Sequence, residues 1–207
     1  MINTKVLCHS SIKIEGEKII YVDPYSIDEN YGDADYIFCT HSHYDHFSKE
    51  DIEKIKKENT KLIIVSSSEN EAKELVGEEN VTIVKPSCDY KVENIKFSTT
   101  YAYNINKQFH PKENEWVGYI IEFEGVRFYI AGDTDNIPEI QNINCDIAFL
   151  PIGGTYTMDY KEAAELANVI NAKVVIPVHY GMIVGTKKDA EEFSKLVENK
   201  EVKILIK

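Results

Sequence analysis

The segment Asp35-Tyr36-Ile37-Phe38-Cys39-Thr40-His41-Ser42-His43-Tyr44-Asp45-His46 carries the clearest structural and chemical pattern in the sequence. Its first half is typical of a buried strand, and its second half carries imidazole and carboxylate groups that suit divalent first-row ions. In an extended segment His41 and His43 project on the same side and can share one ion. Asp45 and His46 are adjacent, so they need a turn to face a second ion. The sequence therefore predicts a two-metal site in a strand-to-helix loop, where α/β sheets usually carry their chemistry.

Length and composition are those of a globular protein with a sizeable core. The chain has 207 residues, of which 43% are hydrophobic and 11% aromatic. No linker rich in Pro, Gly or Ser interrupts it, so we predict a single domain over residues 1–207. The net charge is −12, and the lysines are spread rather than clustered. Because nucleic acid phosphates attract a concentrated basic surface, we expect no nucleic acid partner.

The sequence also predicts the cellular setting. Its apolar runs are strand-sized, well below the roughly 18 residues of a membrane span, so we expect no membrane association. Residues 1–5 lack the basic start and apolar core of a signal peptide. The four cysteines are scattered without a C-x-x-C pair. A reduced, cytoplasmic protein is the simplest interpretation.

The first half of the chain alternates strands and helices. The patterns predict strands over 4–14, 18–22, 35–40, 61–65 and 81–84, a helix that begins after the N-cap Ser48, and a helix over 69–76 that ends at Gly77. The first two strands are expected to form a hairpin.

The second half repeats this alternation after a group of strands. It predicts strands over 90–100, 117–123, 126–131, 146–152, 173–178 and 202–206, and helices over 159–170 and 187–198. A polar loop over 101–116 is long enough that a functional role is expected. Two sheets packed face to face with helices outside would bury all the strands. The predicted fold class is therefore α/β (α+β), a four-layer αββα sandwich with two pseudo-symmetric halves.

Three predicted strand ends carry side chains that bind metals: the motif from His41 to His46, then Asp133, then His179. If the strands share a sheet edge, these ligands converge. Alone, Asp133 could belong to a simple turn, and His179 could be a hydrogen-bonded histidine at a strand end. Together with the first motif, both favour a metal site.

This pattern resembles the metallo-β-lactamase-fold hydrolase superfamily over nearly the whole chain. The resemblance is carried by His41-x-His43-x-Asp45-His46, by Gly132-Asp133-Thr134 after a strand, and by His179 at a strand end. Residues 131–139 and 151–159 further resemble small bacterial and archaeal Zn-dependent hydrolases of that superfamily. The resemblance implies an αββα sandwich with the site along one edge.

The resemblance also implies a ligand set. It assigns His41 and His43 to a first metal, Asp45, His46 and His179 to a second, and Asp133 as the bridge between them. The superfamily usually adds a third histidine to the first metal from the loop before the Gly-Asp strand. Here residues 100–104 contain none, so we predict that His110 takes this role. The alternative is that His110 faces the substrate or is merely exposed.

Two divalent ions, zinc being the expected metal and manganese or iron(II) the alternatives, could share a water and lower its pKa toward neutrality. The resulting hydroxide would attack a small ester, lactone or phosphoester. Asp45 and Asp133 are the predicted catalytic carboxylates, and Asp133 could orient the water or accept its proton. Tyr156 and Tyr180 could donate to an oxyanion or simply pack in the core.

Two further residues have open roles. We expect His9 to be structural or to support a metal ligand, and Asp23 either to orient a ligand histidine or simply to end a strand. Other functions are a nuclease or phosphodiesterase of the same superfamily, a diiron redox enzyme on this fold, and a non-catalytic metal-binding protein. We expect a small-molecule substrate, including anionic ones, and exposed sheet edges that could support a homo-oligomer.

Overall fold

The computed structural model describes residues 2–206, and the chain forms two compact units that divide between Lys85 and Pro86. Each unit is built on its own β-sheet, with six strands in the first unit and seven in the second. The single domain over 1–207 stays a prediction.

The first unit begins as an antiparallel meander and continues as a parallel sheet. Its elements are β1 (Asn3–Cys8), β2 (Ser11–Glu15), β3 (Ile19–Val22), β4 (Ala34–Phe38), α1 (Lys49–Ile55), β5 (Lys56–Val65), α2 (Glu69–Val76) and β6 (Val81–Val84). The strands lie side by side in chain order, and β3 to β6 are parallel. Helix α1 begins after its predicted N-cap Ser48, whose side chain accepts the Asp51 N–H, and α2 ends at the predicted Gly77.

The predicted strand over 4–14 is wrong, because this segment is two strands. β1 and β2 pair antiparallel with Cys8 opposite Ser11, and the chain turns at His9 and Ser10. His9 has a φ of +47°, a left-handed conformation that histidine adopts more readily than most residues. The apolar alternation continues through the turn, which is why the sequence pattern gave no sign of it.

The second unit has the reverse arrangement, with its antiparallel strands at one end and its parallel strands at the other. Its elements are β7 (Asp89–Val92), β8 (Ile95–Tyr101), β9 (Val117–Phe123), β10 (Val126–Ile130), β11 (Ile147–Pro151), α3 (Tyr160–Val169), β12 (Val174–Val178), α4 (Lys187–Leu196) and β13 (Glu201–Val202). The spatial order is β13-β12-β11-β10-β9-β8-β7. Strands β10 to β13 are parallel, and β7 to β10 are antiparallel.

Two strand predictions in this unit are wrong. The segment 90–100 is a hairpin of β7 and β8 rather than one strand, and it turns at Glu93, whose φ is +51°. The last strand is Glu201–Val202 rather than 202–206.

Helices α3 and α4 bury their apolar faces in the core of the second unit. Leu166 of α3 and Phe193 of α4 are fully buried in one cluster with Leu150 of β11 and Val175 of β12. Helices α3 and α4 therefore cover strands of the second unit. Predicted site residues follow the carboxyl ends of these strands. Among residues 2–206, none of the helices combines the length and the apolar character that a membrane span requires.

The loop between β3 and β4 is tied to helix α1 by Asp51. The Asp51 carboxylate accepts hydrogen bonds from the backbone N–H of Ser26 at 2.8 Å and of Ile27 at 2.9 Å, and from Ser48 Oγ at 2.7 Å. Burial alone would raise the pKa of Asp51, but these hydrogen bonds and the Lys54 ammonium outweigh burial and lower it. The folded protein therefore favours the ionised carboxylate.

We expect Asp51→Ala to lower the free energy of unfolding by about 1–3 kcal/mol, because two backbone N–H groups lose their acceptor. Because the pKa of Asp51 is lowered in the folded state, the contribution of its carboxylate to the free energy of unfolding is fully present near neutral pH. It declines once the pH falls below the ordinary Asp pKa of about 3.9, and it is lost as the pH passes through the folded-state value. Denaturant titrations at a series of pH values measure both effects.

The control is Asp28→Asn, which changes an exposed carboxylate in the same loop and should leave the profile unchanged. The account of Asp51 is contradicted when Asp51→Ala and the natural protein lose stability in parallel below about pH 4.

Candidate metal centre

The carboxyl ends of β3 and β4 place polar residues side by side in the first unit. Because the two strands are parallel, the residues that follow them lie at the same sheet edge. Asp23 follows β3 and is 1% exposed. Its Oδ1 accepts the backbone N–H of Thr40 at 2.8 Å, and its Oδ2 accepts the Thr40 hydroxyl at 2.8 Å. These bonds fix the carboxylate against Thr40, the residue that precedes the motif from His41 to His46.

Asp23 orients His46. Its Oδ2 lies 2.8 Å from His46 Nδ1, and since a carboxylate only accepts, Nδ1 donates and Nε2 carries the lone pair. The predicted turn is present, because the N–H groups of His46 and Phe47 both donate to His43 O. Of the two roles considered for Asp23 from the sequence, the geometry favours the orienting one.

His41 and His43 present a pair of ring nitrogens. His41 Nδ1 lies 3.0 Å from Thr40 Oγ, whose hydrogen goes to Asp23, so His41 Nδ1 donates and its Nε2 carries the lone pair. This Nε2 lies 3.1 Å from His43 Nδ1. Two ligand atoms about 2.1 Å from one ion are about 3.0 Å apart at a right angle and about 3.4 Å apart at a tetrahedral angle. The separation of the two nitrogens falls inside that range.

Asp45 lies between two imidazoles of the same unit. Its Oδ2 is 3.5 Å from His46 Nε2 and 3.3 Å from His9 Nε2. Both histidines are fully buried, and Asp45 is 8% exposed. The ligand atoms of the three residues lie within 4.8 Å of one another. The first unit therefore presents one buried carboxylate with two imidazole nitrogens beside it.

The second unit brings its predicted residues to one edge in the same way. Strands β10, β11 and β12 are parallel, and Asp133, Gly153 and His179 follow them in that order. His179 has a φ of +58°. A Cβ atom on Gly153 would lie 2.6 Å from His179 O and 2.8 Å from its Nδ1. The absence of a side chain at Gly153 therefore makes room for His179.

Asp133 lies between two imidazoles as well. Its Oδ2 is 3.0 Å from His179 Nε2 and 3.2 Å from His110 Nε2. All three residues are buried, and both separations fall in the range expected for ligands of one ion. The structure thus brings together the three residues that the sequence indicated in this unit, including His110 from the long loop.

Asn104 and Tyr156 hold the His110 ring. His110 Nδ1 lies 3.0 Å from Asn104 Oδ1 and 3.1 Å from the carbonyl oxygen of Tyr156. Both oxygens accept, so Nδ1 donates and Nε2 presents its lone pair toward Asp133. The Asn104 amide donates in turn to Asp135 Oδ1 at 3.0 Å and to the Tyr156 carbonyl at 2.9 Å.

The roles of Asn104 and Asp135 were not predicted from the sequence. Asn104 closes the segment where a histidine was expected, and its role depends on a partner about thirty residues further along. Asp135 also accepts the Ile105 N–H at 2.9 Å and pairs with the Lys107 ammonium. Its position two residues after Asp133 was the available signal. These bonds explain how a long polar loop delivers His110 in a fixed orientation.

The structure does not support the oxyanion-donor role considered for the side chains of Tyr156 and Tyr180. Tyr180 is 1% exposed and packs in the core of the second unit, where burial raises its pKa to about 12. Tyr156 acts through its carbonyl, while its ring lies edge-on to Phe109 with centroids 4.6 Å apart.

Two mixed sheets with helices, and with His and Asp groups at the carboxyl ends of their parallel strands, define a protein of the metallo-β-lactamase fold class. Residues 4–179 match the Beta-lactamase superfamily domain, and the chain belongs to this superfamily.

Relatives and solved structures agree with this assignment. The chain is 30% identical to the UPF0173 metal-dependent hydrolase of Thermococcus onnurineus, with 100% of this chain and 97% of that protein aligned. A solved structure from Parabacteroides distasonis is 30% identical with a TM-score of 0.86, covering 100% of this chain and 94% of that one. Igni18, a metallo hydrolase from Ignicoccus hospitalis, shares the fold at 23% identity and a TM-score of 0.79, covering 99% and 95% of the two chains. The comparisons confirm the resemblance and the α/β (α+β) fold class.

The donor atoms of both units fit a divalent metal ion. They are imidazole nitrogens and carboxylate oxygens, which suit zinc, manganese and iron. His46 and His110 are each oriented by an acceptor at the other ring nitrogen, as metal-binding histidines usually are. Three of the carboxylate–imidazole separations, 3.0, 3.2 and 3.3 Å, fall in the range expected for two ligands of one ion, and the fourth, between Asp45 Oδ2 and His46 Nε2, is 3.5 Å.

We expect Asp23→Ala to weaken zinc binding by about 10- to 100-fold, because His46 loses the acceptor that fixes its ring and tautomer. Competition with a chromophoric chelator measures the affinity. Asp28→Asn, an exposed carboxylate five residues along the chain, is the control and should bind zinc like the natural protein. Equal affinity of Asp23→Ala and the natural protein would contradict the orienting role.

Proposed function

We propose that the protein is a metal-dependent hydrolase that uses two divalent ions, zinc being the expected metal, on a small ester, lactone or phosphoester. One observation carries this proposal. Each unit buries a carboxylate oxygen beside two imidazole Nε2 atoms, around Asp45 in the first unit and around Asp133 in the second. The names of the relatives as metal-dependent hydrolases support it.

The proposed metal ligands are the residues that the sequence indicated: His41, His43, Asp45, His46, His110, Asp133 and His179. The separation of His41 Nε2 and His43 Nδ1 supports their sharing one ion. The contact of His46 with Asp45 supports a second ligand pair. Asp133, which contacts His110 and His179 through one oxygen, is proposed to bind metal together with them.

Divalent ions in such a site supply Lewis acidity and lower the pKa of a water toward neutrality. The residues of the chain prepare the site for that chemistry. Asp45 and Asp133 are the carboxylates that can orient the attacking water and take up its proton. Nearly complete burial of His41, His46, His110 and His179 excludes bulk water from the ligands, which strengthens their electrostatic interactions.

We expect His46→Ala and Asp133→Asn each to lose bound metal and to lower kcat/KM below detection, because each removes a central ligand. Elemental analysis and an assay with ester, lactone and phosphodiester substrates measure the two effects. Asp89→Asn, an exposed carboxylate on β7, is the control and should keep metal and activity. A folded His46→Ala protein with full activity would contradict the proposal.

The loop that carries His110 supplies a surface for the substrate. Phe109 is 46% exposed and Ile105 is 54% exposed, although both are large and apolar. Phe109 adjoins His110 in the chain, and its ring is supported by the Tyr156 ring. We therefore place an apolar group of the substrate against Phe109, while the reacting bond lies toward the proposed metal ligands.

We expect Phe109→Ala to raise KM for aryl or alkyl esters by about 2- to 10-fold, the loss of one aromatic contact, while metal content stays unchanged. Steady-state kinetics on a series of esters of increasing chain length measures this. Val169→Ala removes a similarly exposed apolar side chain from helix α3 and serves as the control. A Phe109→Ala enzyme with unchanged KM across the series would contradict this placement.

A further inference from the structure

We propose that His9 is a further metal ligand and binds the same ion as Asp45 and His46. The inference rests on the proposed function, since it adds one donor to an ion that the function requires. Neither the motif that identified the other ligands nor the resemblance assigns His9 such a role.

The β1–β2 turn places His9 beside Asp45. The imidazole is fully buried, and its Nε2 lies 3.3 Å from Asp45 Oδ2. The His46 Nε2 lies 3.5 Å from the same oxygen. Ligand atoms of the three residues lie within 4.8 Å of one another. His9 therefore stands in the same relation to Asp45 as His46 does.

The Asp45 oxygen that His9 approaches distinguishes a metal ligand from a histidine that only orients the carboxylate. A histidine that only oriented Asp45 would be expected to contact the oxygen that faces away from the ion. His9 instead approaches Oδ2, the oxygen that His46 also approaches. The three residues offer two imidazole nitrogens and one carboxylate oxygen, which are donor types that bind zinc.

The backbone at His9 supports a functional role. Its φ of +47° is left-handed, and such conformations are uncommon in residues other than glycine. They persist where the surroundings determine them strongly, and they cluster at binding sites. The turn at His9 aims the imidazole at Asp45, whereas a continuous strand over 4–14 would not have required a left-handed residue there.

The test uses the full-length natural protein with the variants His9→Gln and His9→Asn. Glutamine can place an amide N–H near the position of Nε2, so it keeps a polar group beside Asp45 Oδ2 but is a weak metal ligand. Asparagine tolerates left-handed φ, so it preserves the turn. We measure zinc affinity by chelator competition and the visible absorption of the cobalt(II)-substituted protein, which reports coordination number and ligand type.

We expect both variants to bind one of the two ions more than about 10-fold more weakly, and we expect a changed cobalt spectrum in each. Tyr25→Phe is the matched control, because its ring lies edge-on to His9 with centroids 6.4 Å apart and it offers no nitrogen. It should retain the natural affinity and spectrum. Thermal unfolding in excess chelator establishes that each variant is folded.

Natural affinity and an unchanged spectrum in His9→Gln would overturn the assignment and leave His9 as a hydrogen-bond donor only. That outcome leaves the proposed function intact, because the natural protein still binds its metal. Failure of the natural protein itself to bind zinc, cobalt, manganese or iron(II) would overturn the proposed function and this assignment with it.

Discussion

The central interaction at the functional edge of each unit is the contact between a buried carboxylate oxygen and two imidazole nitrogens. It occurs once around Asp45 and once around Asp133. A buried carboxylate costs several kcal/mol unless positive charge or hydrogen bonds compensate for it. A divalent ion bound at these residues, as we propose, would supply that charge and would couple metal binding to the folding of these loops. All six histidines of the chain lie in or beside these two groups.

Parallel strands bring the carboxylates and imidazoles of each unit to one edge of its sheet. Each parallel strand ends at the same edge as its neighbour, so residues that are far apart in sequence become adjacent there. Asp23 and Thr40 meet in this way in the first unit, and Asp133 and His179 meet in this way in the second. The antiparallel strands complete each sheet, and the β1–β2 turn adds His9 to the first group.

The sequence predicted the parts of the site that depend on local pattern. Each part of the site follows an apolar strand: the motif from His41 to His46, then Asp133, then His179. In each case the apolar run and the polar residue after it lie within about ten residues of each other, so the pattern is visible in the sequence. The turn at His9 was missed because the apolar alternation runs through it. Asn104 was missed because its effect on His110 depends on Asp135 and on a carbonyl group fifty residues away. Such contacts exist only once the chain has folded.

The most direct test of the account is anomalous diffraction at the zinc absorption edge from crystals of the zinc-loaded protein. The account predicts two metal peaks. Carboxylate oxygens of Asp45 and Asp133 should lie about 2.0–2.2 Å from a peak, with imidazole nitrogens at about 2.0–2.1 Å. A zinc-replete crystal in which no peak lies within bonding distance of either carboxylate would contradict it.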